Sequence, residues 1–415
     1  MNKFESVVNK AFDFQENRFS SIIPYFFSTP FYKRKLEEAG ITQKHIRCLA
    51  DLSKVPFTYK NEVRNSSPFE RTPLKKEDIY AIFSSGGTSG NPTLYVWSEE
   101  DVVILKEVAK NIFFHFNVNP TDMALILAPL SLPVMGHCMI HQYEASGISF
   151  VPLGPADPET VTSFLQQLPI TLIATLPVVA SRLYEFIRYS QKAEINENIK
   201  IKQFHFGGDY LSNARRTRLQ TNWNTNCYDL YGISEIFGPV AGECEFKNGL
   251  HFPDEYVYIE VLDPITKLPV PDGEQGVAVY TTLWRKGFPL LRYWSDDYIT
   301  RDSHQCQCGQ TSSRITYYGR PPDCVKIKDK TVFAKNVEEV VLKYPLNDEY
   351  FIKYENGYVY AEVEPMPEFL VLESEMKDEL SELLHLPVEV TRKIPGTLPR
   401  TEIKPKRLIG FPQDL

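Results

Sequence analysis

The chain has 415 residues, 43% of them hydrophobic and 24% charged, with a formal net charge of −8. That is the balance of a globular protein long enough for one large domain and a smaller one. The acidic excess argues against a nucleic-acid or anionic-membrane partner, which would favour a basic face. No apolar run reaches the ~20 residues of a membrane helix.

The N-terminal stretch Met1 to Asn17 is charged throughout and carries no secretory apolar region, so a cytoplasmic location is expected. Residues 1–65 read as mostly helical, with Phe4, Val7, Val8, Ala11 and Phe12 at helical spacing. From about residue 79, β-rich runs alternate with helical stretches. Ala124 to Pro129, Ile148 to Pro152, Ile170 to Thr175, Lys202 to Phe206 and Cys227 to Tyr231 are strand candidates. Leu105 to Phe116 and Glu159 to Gln167 are amphipathic helices between them, a pattern that predicts an α/β fold with covered sheets. Residues 257–300 are richer in strands and carry turn signals at Asp263-Pro264 and Pro271-Asp272-Gly273.

A boundary is expected at Gly319-Arg320-Pro321-Pro322. It divides an N-terminal domain of mixed sheets and flanking helices (residues 1–319) from a small C-terminal α+β lid (residues 323–415). Within the lid, Asn336 is a candidate cap for a short helix, and Asn356-Gly357 joins two strands as a tight hairpin. Phe369 to Leu386 reads as an amphipathic helix with Leu372, Met376, Leu380 and Leu383/Leu384 on one side.

The strongest local signal is Ser84-Ser85-Gly86-Gly87-Thr88-Ser89-Gly90-Asn91-Pro92-Thr93. Its glycines and hydroxyls offer the N–H and O–H donors that a polyphosphate needs, although surface turns use the same residues. The loop lies between two strand-like runs and is followed by a helix starting at Ser98, with Asp101 placed for a capping box. A Walker loop would instead run straight into its helix.

This loop resembles the phosphate-binding loop of the adenylate-forming superfamily of acyl-CoA synthetases, adenylation domains and luciferases. The upstream segments Pro30-Phe31-Tyr32, Ala39-Gly40-Ile41 and Val55-Pro56-Phe57-Thr58 resemble the phenylacetate–CoA ligase branch. Further motifs follow in the family's order. Phe206-Gly207-Gly208-Asp209 resembles the adenine-side segment, and Tyr231-Gly232-Ile233-Ser234-Glu235 resembles Tyr-Gly-x-Thr-Glu. That likeness implies adenine against Tyr231, phosphate at Ser234 and Mg²⁺ at Glu235, a carboxylate suiting a hard cation. Arg292-Tyr293-Trp294-Ser295-Asp296-Asp297 resembles Arg-Tyr-x-Thr-Gly-Asp, with Asp296 where the family has Gly. It implies that Asp297 bonds the ribose hydroxyls, the neighbouring Asp296 being the rival, and Gly319-Arg320 puts Arg320 near ribose or phosphate.

Leu398-Pro399-Arg400-Thr401-Glu402-Ile403-Lys404 resembles the C-terminal catalytic segment. By that likeness Lys404 bridges the carboxylate and the α-phosphate, offsetting the repulsion of two anions brought together. Pro322, beside Asp323, falls where the family has its hinge residue, and proline restricts φ there. The acyl pocket is expected near Met135, His137, Phe206 and Phe237, which suit an aromatic or modest apolar acid.

Seven cysteines at uneven spacing do not form a disulfide framework. Cys244-x₆-His251 followed by Cys306-x-Cys308 supplies four ligands suited to structural tetrahedral zinc, with His304 as a rival for His251. Members of the phenylacetate–CoA ligase branch carry a similar arrangement.

These features predict an AMP-forming acid–thiol ligase. It uses ATP and Mg²⁺ to make an acyl-AMP from a small carboxylic acid, then transfers the acyl group to CoA or to the phosphopantetheine of a carrier protein. The alternative is a non-catalytic nucleotide or acyl-adenylate binder on the same fold. Glu235, Asp297, Arg320 and Lys404 together favour the enzyme, since a binder has no need of the lysine.

Overall fold

The computed structural model describes residues 3–85, 92–189, 199–236, 238–328, 330–366, 372–400 and 404–412, with backbone alone for 3–13 and 322. Two compact units emerge: Met1–Pro155 with Tyr228–Tyr317, and Ala156–Cys227 with Tyr318–Leu415. Both mix helices with sheet, and the C-terminal stretch is the smaller, β-rich part.

In the first unit the expected helical N-terminus is present as Lys3–Ser28, Pro30–Glu38 and Lys60–Asn65, joined by 3₁₀ turns. Thr29 caps the second of these helices by accepting from the Tyr32 N–H at 3.3 Å, and Pro30 fits its first turn. Phe19, Ile22, Ile23 and Phe26 follow helical spacing and pack with Tyr32, Leu36, Leu52, Leu283 and Leu291. The N-terminal helices are therefore clamped by apolar burial onto the segment that leads into the Arg292-Tyr293 motif.

Ala81–Ser84 and Leu94–Trp97 pair antiparallel, from Ala81↔Trp97 to Ser84↔Leu94. The helix Glu99–Phe114 then begins with the expected capping box. Asp101 N donates to Ser98 Oγ at 3.1 Å, and Ser98 N donates to Asp101 Oδ2 at 2.9 Å. Met123–Ile126 lies parallel to Ser149–Val151. The strand-rich region forms a sheet whose order is Val257–Leu262, Gly276–Thr282, Tyr293–Asp302, Arg314–Gly319, Leu250–His251, Gly238–Gly242, Asn226–Ile233. Register within it places Tyr280 opposite Tyr293.

In the second unit Leu172–Thr175 runs parallel to Gln203–Phe206, with helices Pro158–Gln167, Pro177–Tyr189 and Asn213–Trp223. A four-stranded sheet follows, in the order Val388–Arg392, Tyr358–Pro365, Leu346–Glu355, Leu408–Ile409. Asn356 and Gly357 both take positive φ, 53° and 86°, the signature of the expected two-residue hairpin. The helix Glu373–Leu384 buries Met376, Leu380 and Leu384, while Phe369 to Val371 lie outside the described residues.

Asn336 does not begin its helix. Ala334–Val341 starts two residues earlier, and Asn336 reaches back to accept from the Phe333 N–H at 3.2 Å. Sequence reading had taken Ala156–Cys227 with the N-terminal domain, whereas in the structure it groups with Tyr318–Leu415. Ion pairs join the two stretches. Arg215 makes a bidentate contact with Glu338, Nη2 at 2.7 Å and Nε at 3.0 Å from its oxygens. Arg218 meets Asp348 at 2.7 Å, and Arg182 meets Glu349 at 2.7 Å.

Candidate active site

The strand Asn226–Ile233 delivers Tyr231, Gly232, Ser234 and Glu235 to one place at its end. Gly232 is needed for packing, because a Cβ there would fall 1.6 Å from the Gly238 carbonyl oxygen. The Tyr231 hydroxyl donates to Asp297 Oδ2 at 2.5 Å and lies 2.6 Å from the Tyr280 hydroxyl, all three residues being buried. Burial, followed by the Asp297 charge, drives the Tyr231 pKa well above that of a free phenol, so the hydroxyl keeps its proton.

Geometry separates the two neighbouring acids. Asp296 adopts φ 64° and accepts from Trp294 Nε1 at 2.9 Å, whereas Asp297 is fully buried. A left-handed residue here explains why the family pattern has Gly at this position, and Asp tolerates that region better than most residues.

Glu235 is also buried, and its Oε1 accepts from the Tyr293 hydroxyl at 3.0 Å. Behind it the wholly buried Arg285 donates to the Glu235 carbonyl oxygen. Burial lowers the Arg285 pKa to about 10, with Asp101 opposing that shift. Asp101 in turn accepts from the Lys286 and Gly287 N–H groups at 3.0 Å each. The capping box of Glu99–Phe114 thus also fastens the loop that carries Arg285. Sequence reading missed Arg285, Tyr293 as a carboxylate donor and Tyr280. Only Tyr293 had a signal, lying inside a motif already singled out.

Ser84 is buried, with its N–H donating to the Leu132 carbonyl at 2.8 Å, and the Ser85 N–H donates to Thr93 at 3.0 Å. Gly86, Gly87, Thr88, Ser89 and Gly90 lie outside the described residues, as does Phe237. Met135 and His137 are half-buried on the helix Val134–Ala145, and the His137 ring lies 4.8 Å from Phe83.

The second unit holds the remaining motif residues. Phe206 is wholly buried, its ring stacked 5.4 Å from Phe204. Gly207 is buried, and Gly208 turns the chain at φ 81° just before Asp209. The Lys404 ammonium lies 3.5 Å from Asp209, and its side chain is 43% exposed. The Asp209 charge raises the Lys404 pKa against the effect of burial; Asp323 adds to the rise and Arg320 opposes it. Asp209, Arg320, Asp323 and Lys404 are therefore within electrostatic reach of one another. Just upstream, Arg400 is anchored by Glu185 at 2.8 Å and Glu364 at 2.6 Å.

The donor atoms of Cys244, His251, Cys306 and Cys308 all lie within 4.8 Å of one another in the first unit. Cys244 and Cys306 sulfurs are 3.7 Å apart, and Cys308 Sγ is 3.4 Å from His251 Nε2. A tetrahedral zinc with bonds of ~2.3 Å to sulfur needs sulfurs ~3.8 Å apart, so the donor set fits that ion. His251 Nδ1 lies 3.1 Å from Ser312 Oγ, leaving Nε2 for the cluster, and burial lowers the His251 pKa to about 4. His304 is excluded from this group: its side chain is 87% exposed and bound to Asp302 at 2.9 Å.

The family model for AMP-binding enzymes matches residues 28–282, and the chain belongs to that family. It is 31% identical over 335 residues to a phenylacetate–coenzyme A ligase of Thermus thermophilus, spanning 80% of this chain and 75% of that protein. Over 392 residues it is 26% identical to a phenylacetate–coenzyme A ligase of Pseudomonas putida, spanning 91% and 88% of the two chains. A crystal structure of 2-hydroxyisobutyryl-CoA ligase in the postadenylation state with 2-HIB-AMP superposes with TM-score 0.87. That likeness, at 22% identity, covers 95% of this chain and 88% of the other, and it shows the fold. The protein is an AMP-forming acid–CoA ligase of the phenylacetate–CoA ligase-like branch.

Proposed function

We propose that the enzyme activates a small aromatic or modestly apolar acid, and that phenylacetate is the first acid to test. The acid's carboxylate oxygen attacks the ATP α-phosphorus, pyrophosphate leaves, and a thiolate then attacks the acyl carbonyl with AMP as leaving group. CoA is the acceptor to test first, with a carrier-protein phosphopantetheine as the second. The observation that carries this reading is the buried pair of sites at the end of Asn226–Ile233, where Tyr231 meets Asp297 and Glu235 meets Tyr293. Asp297 would take the ribose, Tyr231 the adenine, Glu235 the Mg²⁺, and Ser234 with the 84–90 loop the phosphates. Mg²⁺ would neutralise phosphate charge, and the buried Glu235 carboxylate suits such a hard ion. Lys404 would bridge carboxylate and α-phosphate, with Arg320 beside the ribose or phosphate; Met135, His137, Phe206 and Phe237 would line the acyl site. Pyrophosphate exchange across a panel of carboxylic acids tests the reading, and exchange with none of them would sink it.

Zinc held by Cys244, His251, Cys306 and Cys308 is part of this proposal, as a structural ion. Four protein ligands leave no open position for hydrolysis. A cytoplasmic setting would keep the three thiols reduced and available. Residues 323–415 would serve as the lid. If Pro322 is its pivot, Pro322→Ala should change thioester formation several-fold more than adenylation, because only the second half-reaction needs a new pose. Equal changes in separately measured half-reactions would exclude the pivot.

A further inference from the structure

We propose that Tyr280 is a positioning residue for ribose recognition, acting through Tyr231 on Asp297. The inference rests on the assignment of Asp297 to the ribose. Tyr280 stands on Gly276–Thr282, fully buried, with its ring stacked on Phe252 at 5.9 Å. Its hydroxyl lies 2.6 Å from that of Tyr231, which donates to Asp297 Oδ2 at 2.5 Å. A phenol has one proton, and an ionised carboxylate only accepts. The Tyr231 proton is therefore committed to Asp297, so at the other contact Tyr280 must be the donor.

The result is a directed chain, Tyr280 to Tyr231 to Asp297. Donation from Tyr280 polarises the Tyr231 hydroxyl and strengthens its grip on the carboxylate. It also tethers the Tyr231 ring, whose hydroxyl is now held on two sides. Asp297 is further fixed through its own N–H, which donates to Ser295 Oγ at 3.1 Å. The carboxylate is thus oriented before any nucleotide arrives, with Tyr280 acting on it through Tyr231.

The test is Tyr280→Phe, which removes one hydroxyl and keeps the ring. Dissociation constants for ATP, 2′-deoxy-ATP and 3′-deoxy-ATP are measured by calorimetry on both proteins, alongside KM for the acid and kcat. Wild type should bind at least one deoxy analogue ~10-fold or more weakly than ATP, as expected when a hydrogen bond to a charged group is lost. Tyr280→Phe should bind ATP several-fold more weakly yet bind that analogue nearly as wild type does, with KM for the acid unchanged. The ratio between nucleotides does not depend on the fraction of folded protein, so partial misfolding cannot mimic this result. Equal ribose discrimination in both proteins would overturn the role of Tyr280 while leaving Asp297 in place. Absence of discrimination in wild type would overturn both.

Discussion

The two units bury carboxylates in contrasting ways. In the second unit buried acids meet guanidinium groups: Glu338 with Arg215, and Glu349 with both Arg182 and Arg407 at 2.7 and 2.8 Å. In the first unit, Glu235 and Asp297 take phenolic hydroxyls, from Tyr293 and Tyr231. A guanidinium neutralises the acid it orients, which suits a fastening between chain segments. A neutral phenol orients the carboxylate without neutralising it. The difference sets acids that fasten chain segments apart from those proposed to meet a ligand. Lys404 differs from both, being a partly exposed cation 3.5 Å from Asp209.

The largest effect expected is on stability. Arg215→Met leaves Glu338 buried without its bidentate partner and should cost about 3–5 kcal/mol, read by denaturant unfolding. Burial pushes the Glu338 carboxyl up, but Arg215, together with Ser212 and Arg407, holds its pKa below the ordinary carboxylate range. A depressed folded pKa means that this contribution is present above pH ~4.5 and is lost as pH falls through the folded value. Wild-type unfolding curves should therefore lose stability on acidification below that point, and the Arg215→Met protein should lose less.

Next comes Lys404→Ala, which should leave unfolding unchanged and reduce acyl-AMP formation by about 10²–10³-fold, the scale for removing a preorganised transition-state charge. Substrate affinity should change far less. Pyrophosphate exchange at the wild-type rate in the folded variant would break the assignment.

Zinc removal should act on the first unit alone. Elemental analysis of protein purified without chelator should give one zinc per chain, and Cys306→Ser should lower the melting temperature before it lowers the rate of adenylation. Metal-free protein of undiminished stability would count against the site.

The smallest change, and the sharpest for the comparison, is Tyr293→Phe. Loss of one hydroxyl from Glu235 should weaken metal–nucleotide binding about 10-fold or more, the worth of one hydrogen bond to a charged group. Titration with Mn²⁺·ATP followed by electron paramagnetic resonance reads this directly, and the unfolding midpoint should hold. A loss of stability with unaltered Mn²⁺·ATP affinity would make Tyr293 a packing residue instead.

Short-range chemistry was legible in the sequence. The Ser98/Asp101 capping box, the Asn356-Gly357 hairpin and the alternation of strands and helices all depend on residues within a few positions of each other. The order of motifs suggested family roles for Tyr231, Glu235, Asp297 and Lys404 in the same way, since each motif is a contiguous string. Spacing also grouped the three cysteines with His251 as candidate ligands and left His304 as a rival. Only folding separated them, by burying His251 among the thiols and pointing His304 at Asp302.

Long-range partners were beyond the sequence. Tyr280 lies 49 residues from Tyr231, which lies 66 from Asp297, and Arg215 lies 123 from Glu338. Nothing in one segment encodes which residue of another will face it, because strand register and helix docking decide that once apolar faces are buried. Asp296 and Asp297 show the same division within a single motif. Sequence offered two adjacent acids, and a positive φ at Asp296 turned one toward Trp294 and left the other to be held by Tyr231.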